Sequence, residues 1–367
     1  GNYRIENILP GGSEDMIDVS GAPNKKLRWE KTHSVNAGFD FAVLNQAINL
    51  SVDYYYRKGV DLIGTQMLPL ETGFEMLTVN WASMQNQGVE VALSTRNIHT
   101  KNFMWTTNFN FAYNNNKILK EALREDALEP GREGYPVGAL FALKTAGLDE
   151  EGYPMFEGKD GKAVSAMEFF KLQEWGFGAT DLTARERREL YTYVGTADCP
   201  YTGGFNNTFT YKAFELGVNF SFDFGGKVRS QPTYSIVDFD KGRNTNRDIL
   251  NRWTPENTET IFPVLLSQNE RLDEYMWYSN QNEIYRNLDI WIRDLNYVRL
   301  QNIRLGYTLP TNFSRKLGMT SATIAIEGRN LLVFGSSYKN YLDPETMSNA
   351  YATPAPKSVT LSLNLNF

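Results

Sequence analysis

The residue types that most often catalyse reactions or bind metals are scarce in this chain of 367 residues. Cys199 is the only cysteine, so the chain can form neither an internal disulfide nor a cysteine cluster for a metal. The two histidines, His33 and His99, lie far apart, and the sequence shows no spacing typical of a zinc site or a Ser-His-Asp triad. The stretches "DEEG" and "GKDGK" lack the ligand count of a calcium-binding loop. We therefore predict no enzyme activity, no catalytic or metal site and no cofactor.

Aromatic and amide side chains occur together in "RLDEYMWYSNQNEIY", residues 271–285. Aromatic rings can stack on sugar rings, while neighbouring amides donate to and accept from hydroxyl groups. The segment therefore suggests a substrate-binding site, and its candidate residues are Tyr275, Trp277, Tyr278 and Asn280. Trp175 and Tyr201 are weaker candidates of the same kind. The alternative remains open: these side chains could serve only to pack the loop or to contact a partner protein.

Charge and hydropathy exclude two classes of protein. The net charge is −6 and the sequence contains no basic stripe, which argues against a nucleic-acid partner. It also contains no run of roughly 18 apolar residues, so a helical membrane protein is excluded. Aromatic residues nevertheless make up 13% of the chain, although the mean hydropathy is −0.44. A transmembrane β-barrel accommodates both values, because only alternate residues of its strands face lipid.

Alternation of apolar and polar residues predicts an all-β chain of about nine strands. The clearest pair is "GFNNTFTYKAFELGVNFSFDFGG", which has a tight turn at Lys212 and Ala213. A change of phase at Gln301 and Asn302 predicts a β-bulge. The predicted strands are 35–43, 48–56, 89–94, 103–113, 205–211, 214–224, 297–309, 322–334 and 358–367.

Short and long connections alternate strictly between these strands. The short ones are 44–47, 98–102, 212–213 and 310–321, and the long ones are 58–87, 114–204, 225–296 and 335–357. Bacterial outer-membrane barrels combine tight periplasmic turns with long extracellular loops. We therefore assign residues 1–34 to an extracellular segment and residues 35–367 to a barrel with large extracellular loops. On this assignment the C terminus is periplasmic.

The loop at 114–204 should contain local structure of its own. Residues 136–158 look like a hairpin, which we place inside the loop because two further spanning strands would leave their flanking connections unexplained. Two patches, "AVSAMEFFKLQEW" and "DLTARERRELYTYV", predict small helices. Asp181 is the expected N-cap of the second helix, with Glu186 in its first turns.

A soluble β-sandwich is the structural alternative to a barrel. Most of the predicted strands have roughly nine to thirteen residues, whereas sandwich strands usually have about five or six and tilted membrane strands about 9–11. Nine antiparallel strands cannot close alone, since bacterial single-chain barrels have an even number and an open edge in lipid leaves backbone groups unpaired. The chain, which begins at Gly1 without a methionine, is therefore expected to be a fragment or a processed part of a larger barrel.

Several stretches resemble the SusC/RagA-type TonB-dependent outer-membrane transporters. The stretch "LRWE" precedes a hairpin and the Tyr-rich "DYYYRKG", and further similarity lies in "MQNQGVEVALSTRN" and "TYKAFELGVNFSFDFGGKV". The C-terminal part gives the most specific similarity, with "YVRLQNIRLGYTLP", "IEGRNLLVF", "YLDPE" and an alternating last strand that ends at Phe367. The order and rough spacing of these stretches agree with the family along nearly the whole chain.

The resemblance implies a transmembrane antiparallel β-barrel of 22 strands, of which this chain supplies the C-terminal nine. It also implies active import of nutrients, either oligosaccharides or peptides. The implied partners are the remaining barrel and plug, a SusD-like lipoprotein lid, the TonB complex, outer-membrane lipid and a second transporter–lid pair. The plug and the segment that contacts TonB are missing from this chain.

The resemblance assigns Phe367 a role as an outer-membrane assembly signal. In the last strand we expect Val359, Leu361, Leu363 and Leu365 to face lipid, and Ser358, Thr360, Ser362, Asn364 and Asn366 to face the lumen. Two other functions stay open from the sequence: a passive outer-membrane porin and a soluble β-rich surface protein for binding or adhesion.

Overall fold

A computed structural model describes most of the chain. The residues that it describes are 4–7, 15–18, 21–68, 70–74, 76–123, 125–173, 180–230, 242, 247–265, 286–335, 343–346 and 352–367. Seventeen strands lie in these ranges. In chain order they are β1 Arg4–Asn7, β2 Asp15–Asp18, β3 Gly21–Ala22, β4 Lys31–Val43, β5 Ile48–Met67, β6 Met76–His99, β7 Phe103–Lys120, β8 Ala139–Leu143, β9 Thr145–Leu148, β10 Pro154–Glu157, β11 Ala163–Val164, β12 Tyr191–Thr196, β13 Tyr201–Tyr211, β14 Phe214–Arg229, β15 Ile292–Thr308, β16 Ser321–Phe334 and β17 Ser358–Asn366.

Nine long strands form one sheet, as the alternation predicted. Their order is β4, β5, β6, β7, β13, β14, β15, β16 and β17, so each strand pairs with the next of the nine along the chain. From β7 to β17 every neighbouring pair is antiparallel. The short strand β3 adds a parallel pair to β6. The all-β fold and its nine-stranded antiparallel sheet are therefore confirmed.

Contacts divide the chain into two compact units. The first comprises Gly1–Ala37, Tyr54–Gly88 and Asn114–Val137, and the second comprises Gly38–Asp53, Val89–Tyr113 and Gly138–Phe367. In the first unit the side chain of Asn80 holds the segment that precedes β4. Its Nδ2 donates to the carbonyl of Arg28 at 2.8 Å, and its Oδ1 accepts from the N–H of Arg28 at 2.6 Å. Trp29, which follows the Arg28 backbone bound by Asn80, is 89% exposed.

Three predicted loops were too long, because the strands beside them continue beyond the residues that alternate in polarity. The predicted loop 58–87 contains the end of β5 and the start of β6, which leaves a connection of 68–75. Strand β7 reaches Lys120, β14 reaches Arg229 and β15 begins at Ile292, which shortens the predicted loops 114–204 and 225–296. Backbone pairing does not require alternating side chains, so a strand can continue where the period of two is lost.

The short connections and the bulge agree with the sequence. Residues 44–47 connect β4 to β5 and Lys212 with Ala213 connects β13 to β14, while 309–320 contains a short helix, Thr311–Lys316. Gln301 is the extra residue of the bulge, since Leu300 pairs with Phe220 and Asn302 pairs with Asn219. The predicted loop 335–357 coincides with the interval between β16 and β17.

The long connection after β7 contains small sheets and two helices. Strand β8 pairs with β12, whereas β9 pairs with β10, so residues 136–158 do not form one hairpin. The helices are α1, Ala166–Phe169, and α2, Ala184–Glu189. Thr183, and not the predicted Asp181, caps α2: its side chain accepts from the N–H of Glu186, whose carboxylate accepts from the N–H of Thr183 at 2.9 Å. This reciprocal capping box requires a spacing of three residues, which Asp181 does not have.

Candidate functional site

The nine-stranded sheet has one polar and one apolar face from β7 to β17. In an antiparallel pair, directly opposed residues lie on the same face. Asn206 lies opposite Asn108 on one side and Asn219 on the other, and Asn219 lies opposite Asn302. Four asparagines thus form a row across β7, β13, β14 and β15. A row of amides offers donors and acceptors to a ligand or to another polypeptide.

The other face carries large aromatic and aliphatic side chains. Phe205 stacks on Phe220 with ring centroids 4.7 Å apart, and Trp105 stacks on Phe209 at 5.5 Å. Gly203 lies among these rings, where a Cβ would approach the carbonyl oxygen of Asn110 to 2.3 Å and the Phe222 ring to 2.6 Å. Toward β17 the same face is aliphatic, and Leu361 is 75% exposed. Water is an unfavourable neighbour for so continuous an apolar surface.

A cavity of about 940 Å³ lies against the polar side chains of the second unit. Its lining includes the carboxylates of Asp40 and Asp223 and the amides of Asn108, Asn110 and Asn219. Among the described residues that line it there is no lysine, arginine or histidine. Ser51 donates to Asp40 Oδ1 at 2.6 Å. The cavity therefore favours ligands that carry hydrogen-bond donors or positive charge.

A buried ion-pair cluster lies beside this cavity on β15. Arg299 is 1% exposed, and its guanidinium donates to Asp343 Oδ1 and, at 2.8 Å, to Glu345 Oε1. The Tyr297 hydroxyl donates to Asp223 Oδ2 and lies 3.3 Å from Glu345 Oε1. Burial disfavours the charged form of Asp343, but the bonds from Arg299 and from the backbone of Glu345 outweigh it and lower the pKa of Asp343 below its usual value.

A separate hydrophobic core lies in the connections and not in the sheet. We call it the loop core: the buried residues Leu143, Phe156, Ala166, Phe170, Leu288 and Trp291. Phe156 stacks on Phe169 at 4.8 Å, and Trp291 contacts Phe262 with centroids 5.9 Å apart. Thr145 Oγ1 donates to Asp289 Oδ1 at 2.6 Å, which ties the two connections that supply the core. These connections therefore have the packing of a small folded domain.

A charged cleft of about 760 Å³ lies in the same connections. Lys144 pairs with Glu157 at 2.6 Å, and Lys171 pairs with Glu186 at 3.6 Å. Both pairs are at least one-third exposed, so each contributes little to stability.

The predicted substrate-binding residues Tyr275, Trp277, Tyr278, Asn280 and Trp175 all lie outside the described residues. Tyr201, the weaker candidate, lies at the start of β13 on the apolar face, where its ring stacks on Tyr113 at 5.1 Å. It is therefore not a loop residue. Phe367 follows β17 and is 85% exposed.

Sequence reasoning did not assign a role to the cluster around Arg299. "YLDPE" contributes only to the family resemblance, and nothing in the period of two indicates that Asp343 reaches β15. A turn residue and a strand residue 44 positions apart can be joined only by tertiary contacts.

Within the described part of the chain, no group of three or more His, Cys, Asp and Glu side chains is placed to hold a metal ion. In the same part, no helix has the length and apolar character needed to cross a membrane.

Comparison with known proteins identifies similar proteins for nearly the whole chain. A family model described as "TonB dependent receptor-like, beta-barrel" matches residues 7–145. TonB-dependent receptor P3 of Formosa agariphila is 28% identical over 94% of this chain and 35% of its own length. TonB-dependent receptor SusC of Bacteroides thetaiotaomicron is 26% identical over 94% of this chain and 32% of its own. The chain thus spans about a third of the length of these relatives.

Two solved structures of RagAB have a fold similar to that of this chain. The RagAB peptide transporter matches all of this chain and 38% of its own, with a TM-score of 0.73 and 22% identity. The RagAB peptide importer in its open-open state gives a TM-score of 0.74 at 23% identity, with the same coverage. At this identity the likeness concerns the fold alone. Together with the nine-stranded sheet and the family model that matches residues 7–145, it shows that the chain is similar to part of the β-barrel of the SusC/RagA-type TonB-dependent receptors.

Proposed function

We propose that the chain is the C-terminal part of the barrel of an active outer-membrane importer of nutrients. The observation that carries the proposal is the two-faced sheet, whose strands of 9 to 24 residues carry aromatic and aliphatic side chains on one face and amides and carboxylates on the other. A lipid-exposed outside and a wet lumen require that division. The names of the relatives, which are TonB-dependent receptors, support the proposal that energy for import comes through the TonB complex.

The polar face lines the lumen and the apolar face contacts lipid. In β17 this directs Val359, Leu361, Leu363 and Leu365 to lipid, and Ser358, Thr360, Ser362, Asn364 and Asn366 to the lumen. The short connections are periplasmic, the long ones extracellular, and the C terminus periplasmic. Support comes from the alternation of short and long connections, which is the usual asymmetry of outer-membrane barrels.

Import requires parts that the rest of the protein would supply. These are the remaining strands, a plug, a segment that contacts TonB, and a SusD-like lipoprotein that covers the extracellular side. Two such transporter–lid pairs would form the assembly. The chain itself supplies part of the lumen wall and large external loops, and it contributes no catalytic chemistry.

The substrate is an oligosaccharide or a peptide. A solved structure with this fold is described as a peptide importer, which supports a peptide, whereas the aromatic and amide residues of 271–285 support an oligosaccharide. Tyr275, Trp277, Tyr278, Asn280 and Trp175 are proposed to contact the substrate through ring stacking and amide hydrogen bonds. Trp277→Ala should weaken binding of the preferred substrate in a glycan or peptide panel, and unchanged affinity would remove this loop from the site.

Uptake measured in cells tests the function directly. Cells that express the full-length protein should accumulate labelled substrate, and an uncoupler that collapses the proton gradient should abolish accumulation. Uptake that survives the uncoupler would instead indicate a passive porin. Deletion of the gene for the lid lipoprotein should reduce uptake at low substrate concentration.

Phe367 is proposed to be a signal for assembly into the outer membrane. Its exposure leaves the ring available to another protein. Phe367→Ala should lower the amount of folded barrel in the membrane, measured by heat-modifiable mobility in detergent gels, whereas Phe367→Tyr should not. Equal amounts of folded protein for both variants would contradict the proposal.

A further inference from the structure

The buried side chain of Arg299 fastens the turn at residues 343–346 to β15. Asp343 accepts from Arg299 Nη2, from the N–H of Glu345 at 3.0 Å and from the N–H of Ala355 at 3.2 Å. Arg299 Nε binds Glu345 as well. Asp343 therefore links the backbone at Glu345 and at Ala355 to Arg299 on β15. We call the set of Arg299, Asp343 and Glu345 the latch.

The Tyr297 hydroxyl contacts both Glu345 of the latch and Asp223 on the polar face of the sheet. Its hydroxyl carries one proton, because a phenol with an ordinary pKa near 10 is protonated at neutral pH. It faces two carboxylates, Asp223 on β14 and Glu345 in the latch, and can donate to only one of them at a time. In this structure the bond to Asp223 is formed, while Glu345 Oε1 lies 3.3 Å from the same hydroxyl oxygen.

Asp223 also lines the cavity on the polar face. A cation that pairs with Asp223 inside the cavity would have to come from a ligand, since the described lining carries no lysine, arginine or histidine. An ammonium or guanidinium group that enters the cavity would pair with Asp223, offset its negative charge and so weaken the hydrogen bond that Asp223 accepts from the Tyr297 hydroxyl. The phenolic proton would then be free for Glu345.

We propose that Tyr297 couples occupancy of this cavity to the latch. A cationic group at Asp223 shifts the Tyr297 hydrogen bond to Glu345 and thereby tightens the hold of β15 on the turn 343–346. By linkage, a tight latch also raises the affinity of the cavity for the cation. The natural source of the cation depends on the proposed function, but the coupling is a property of these side chains.

Limited proteolysis of the purified full-length protein in detergent measures the latch. The readout is the rate of cleavage within the connection 335–357, and heat-modifiable mobility confirms that each variant is a folded barrel. Asp343→Ala should speed cleavage about tenfold, the size expected for loss of hydrogen bonds to a charged group. Arg304→Gln is the matched control on the same strand: it breaks the exposed Arg304–Glu215 pair and should leave the rate unchanged. Cleavage of Asp343→Ala at the wild-type rate would show that no latch exists.

The coupling is tested by variants that act in opposite directions. Asp223→Asn removes the competing charge, so cleavage should slow by about threefold. Tyr297→Phe should abolish this effect of Asp223→Asn, because the shared proton is gone. Faster cleavage of Asp223→Asn, or an effect that persists in the double variant with Tyr297→Phe, would overturn the coupling.

A ligand titration completes the test. Tri-lysine should slow cleavage of the wild-type protein and have no effect on Asp223→Asn, and tri-glutamate should affect neither. Slowing of both proteins by tri-lysine would place its action elsewhere and overturn the proposal. None of these measurements involves transport, so a failed uptake experiment and a failed latch would be told apart.

Discussion

The sheet and the loop core place their large apolar side chains in opposite surroundings. In the loop core Leu143, Phe156 and Trp291 are fully buried. In the sheet Leu361 and Leu363 are 75% and 62% exposed. A region that folds against water buries its apolar residues internally, whereas the sheet directs them outward in a continuous surface. The difference indicates that the two regions have different solvents: water around the loops and, by our proposal, lipid around the strands.

Removing the largest side chain of the loop core should have the largest effect. Trp291→Ala should destabilise the packed connections by about 3–5 kcal/mol, because it deletes buried rings and leaves a cavity. Hydrogen exchange of residues 139–196 should accelerate, while heat-modifiable mobility of the barrel persists. Loss of barrel and loops together would show that the two regions fold as one.

A charge on the apolar face tests the other half of the comparison. Leu363→Arg should lower barrel stability by about 2–4 kcal/mol if the side chain lies near the bilayer midplane. Ser362→Arg, the neighbour on the polar face of β17, is the control and should be tolerated. The fraction of folded barrel in urea titrations with lipid vesicles gives both values. An equal loss of barrel stability in Leu363→Arg and Ser362→Arg would contradict the assignment of the two faces.

The cap of α2 predicts a smaller, local change. Thr183→Ala should destabilise the helix by about 1 kcal/mol, since it removes the acceptor for the N–H of Glu186. Asp181→Ala should leave the cap intact. Hydrogen exchange of residues 184–189 compares the two variants, and a larger effect for Asp181→Ala would favour Asp181 as the cap.

The latch should also depend on pH. Because the pKa of Asp343 is lowered in the folded protein, its carboxylate contributes stability above the ordinary carboxyl pKa of about 4, and this stability is lost as the pH falls below it. Cleavage within 335–357 by an acid-stable protease should therefore be slow at pH 5 and faster near pH 3. The ratio of the wild-type cleavage rate to that of Asp343→Ala should therefore rise between pH 5 and pH 3. A constant ratio would contradict the proposed role of the Asp343 carboxylate.

The smallest effect concerns reactivity alone. Burial, and then the charge of Asp223, raise the pKa of the Cys199 thiol to about 11. The thiolate is the reactive form, so maleimide labelling of the folded protein should be slow at pH 7 to 9 and become fast only after denaturation. Rapid labelling of the native protein would show that Cys199 is open to solvent.

How much the sequence could predict depended on the range of the interaction. The period of two is local, and it was sufficient for the nine strands, the two-residue turn at Lys212 and the bulge at Gln301. It failed at the ends of β5 and β6, where pairing continues without alternation. Sequence reasoning also named Asp181 as the cap and did not consider Thr183, although the spacing of Thr183 to Glu186 is visible in the sequence.

By itself the sequence determined the fold class, the strand order and the family resemblance, because alternation and turn length fix the neighbours of an antiparallel strand. Tertiary structure alone decided three features: the loop core, the amide row across four strands and the contact of Arg299 with Asp343. Each joins residues that are far apart in the chain, and no local period encodes such a distance. The folded chain brings these residues together by strand register and by packing of the long connections.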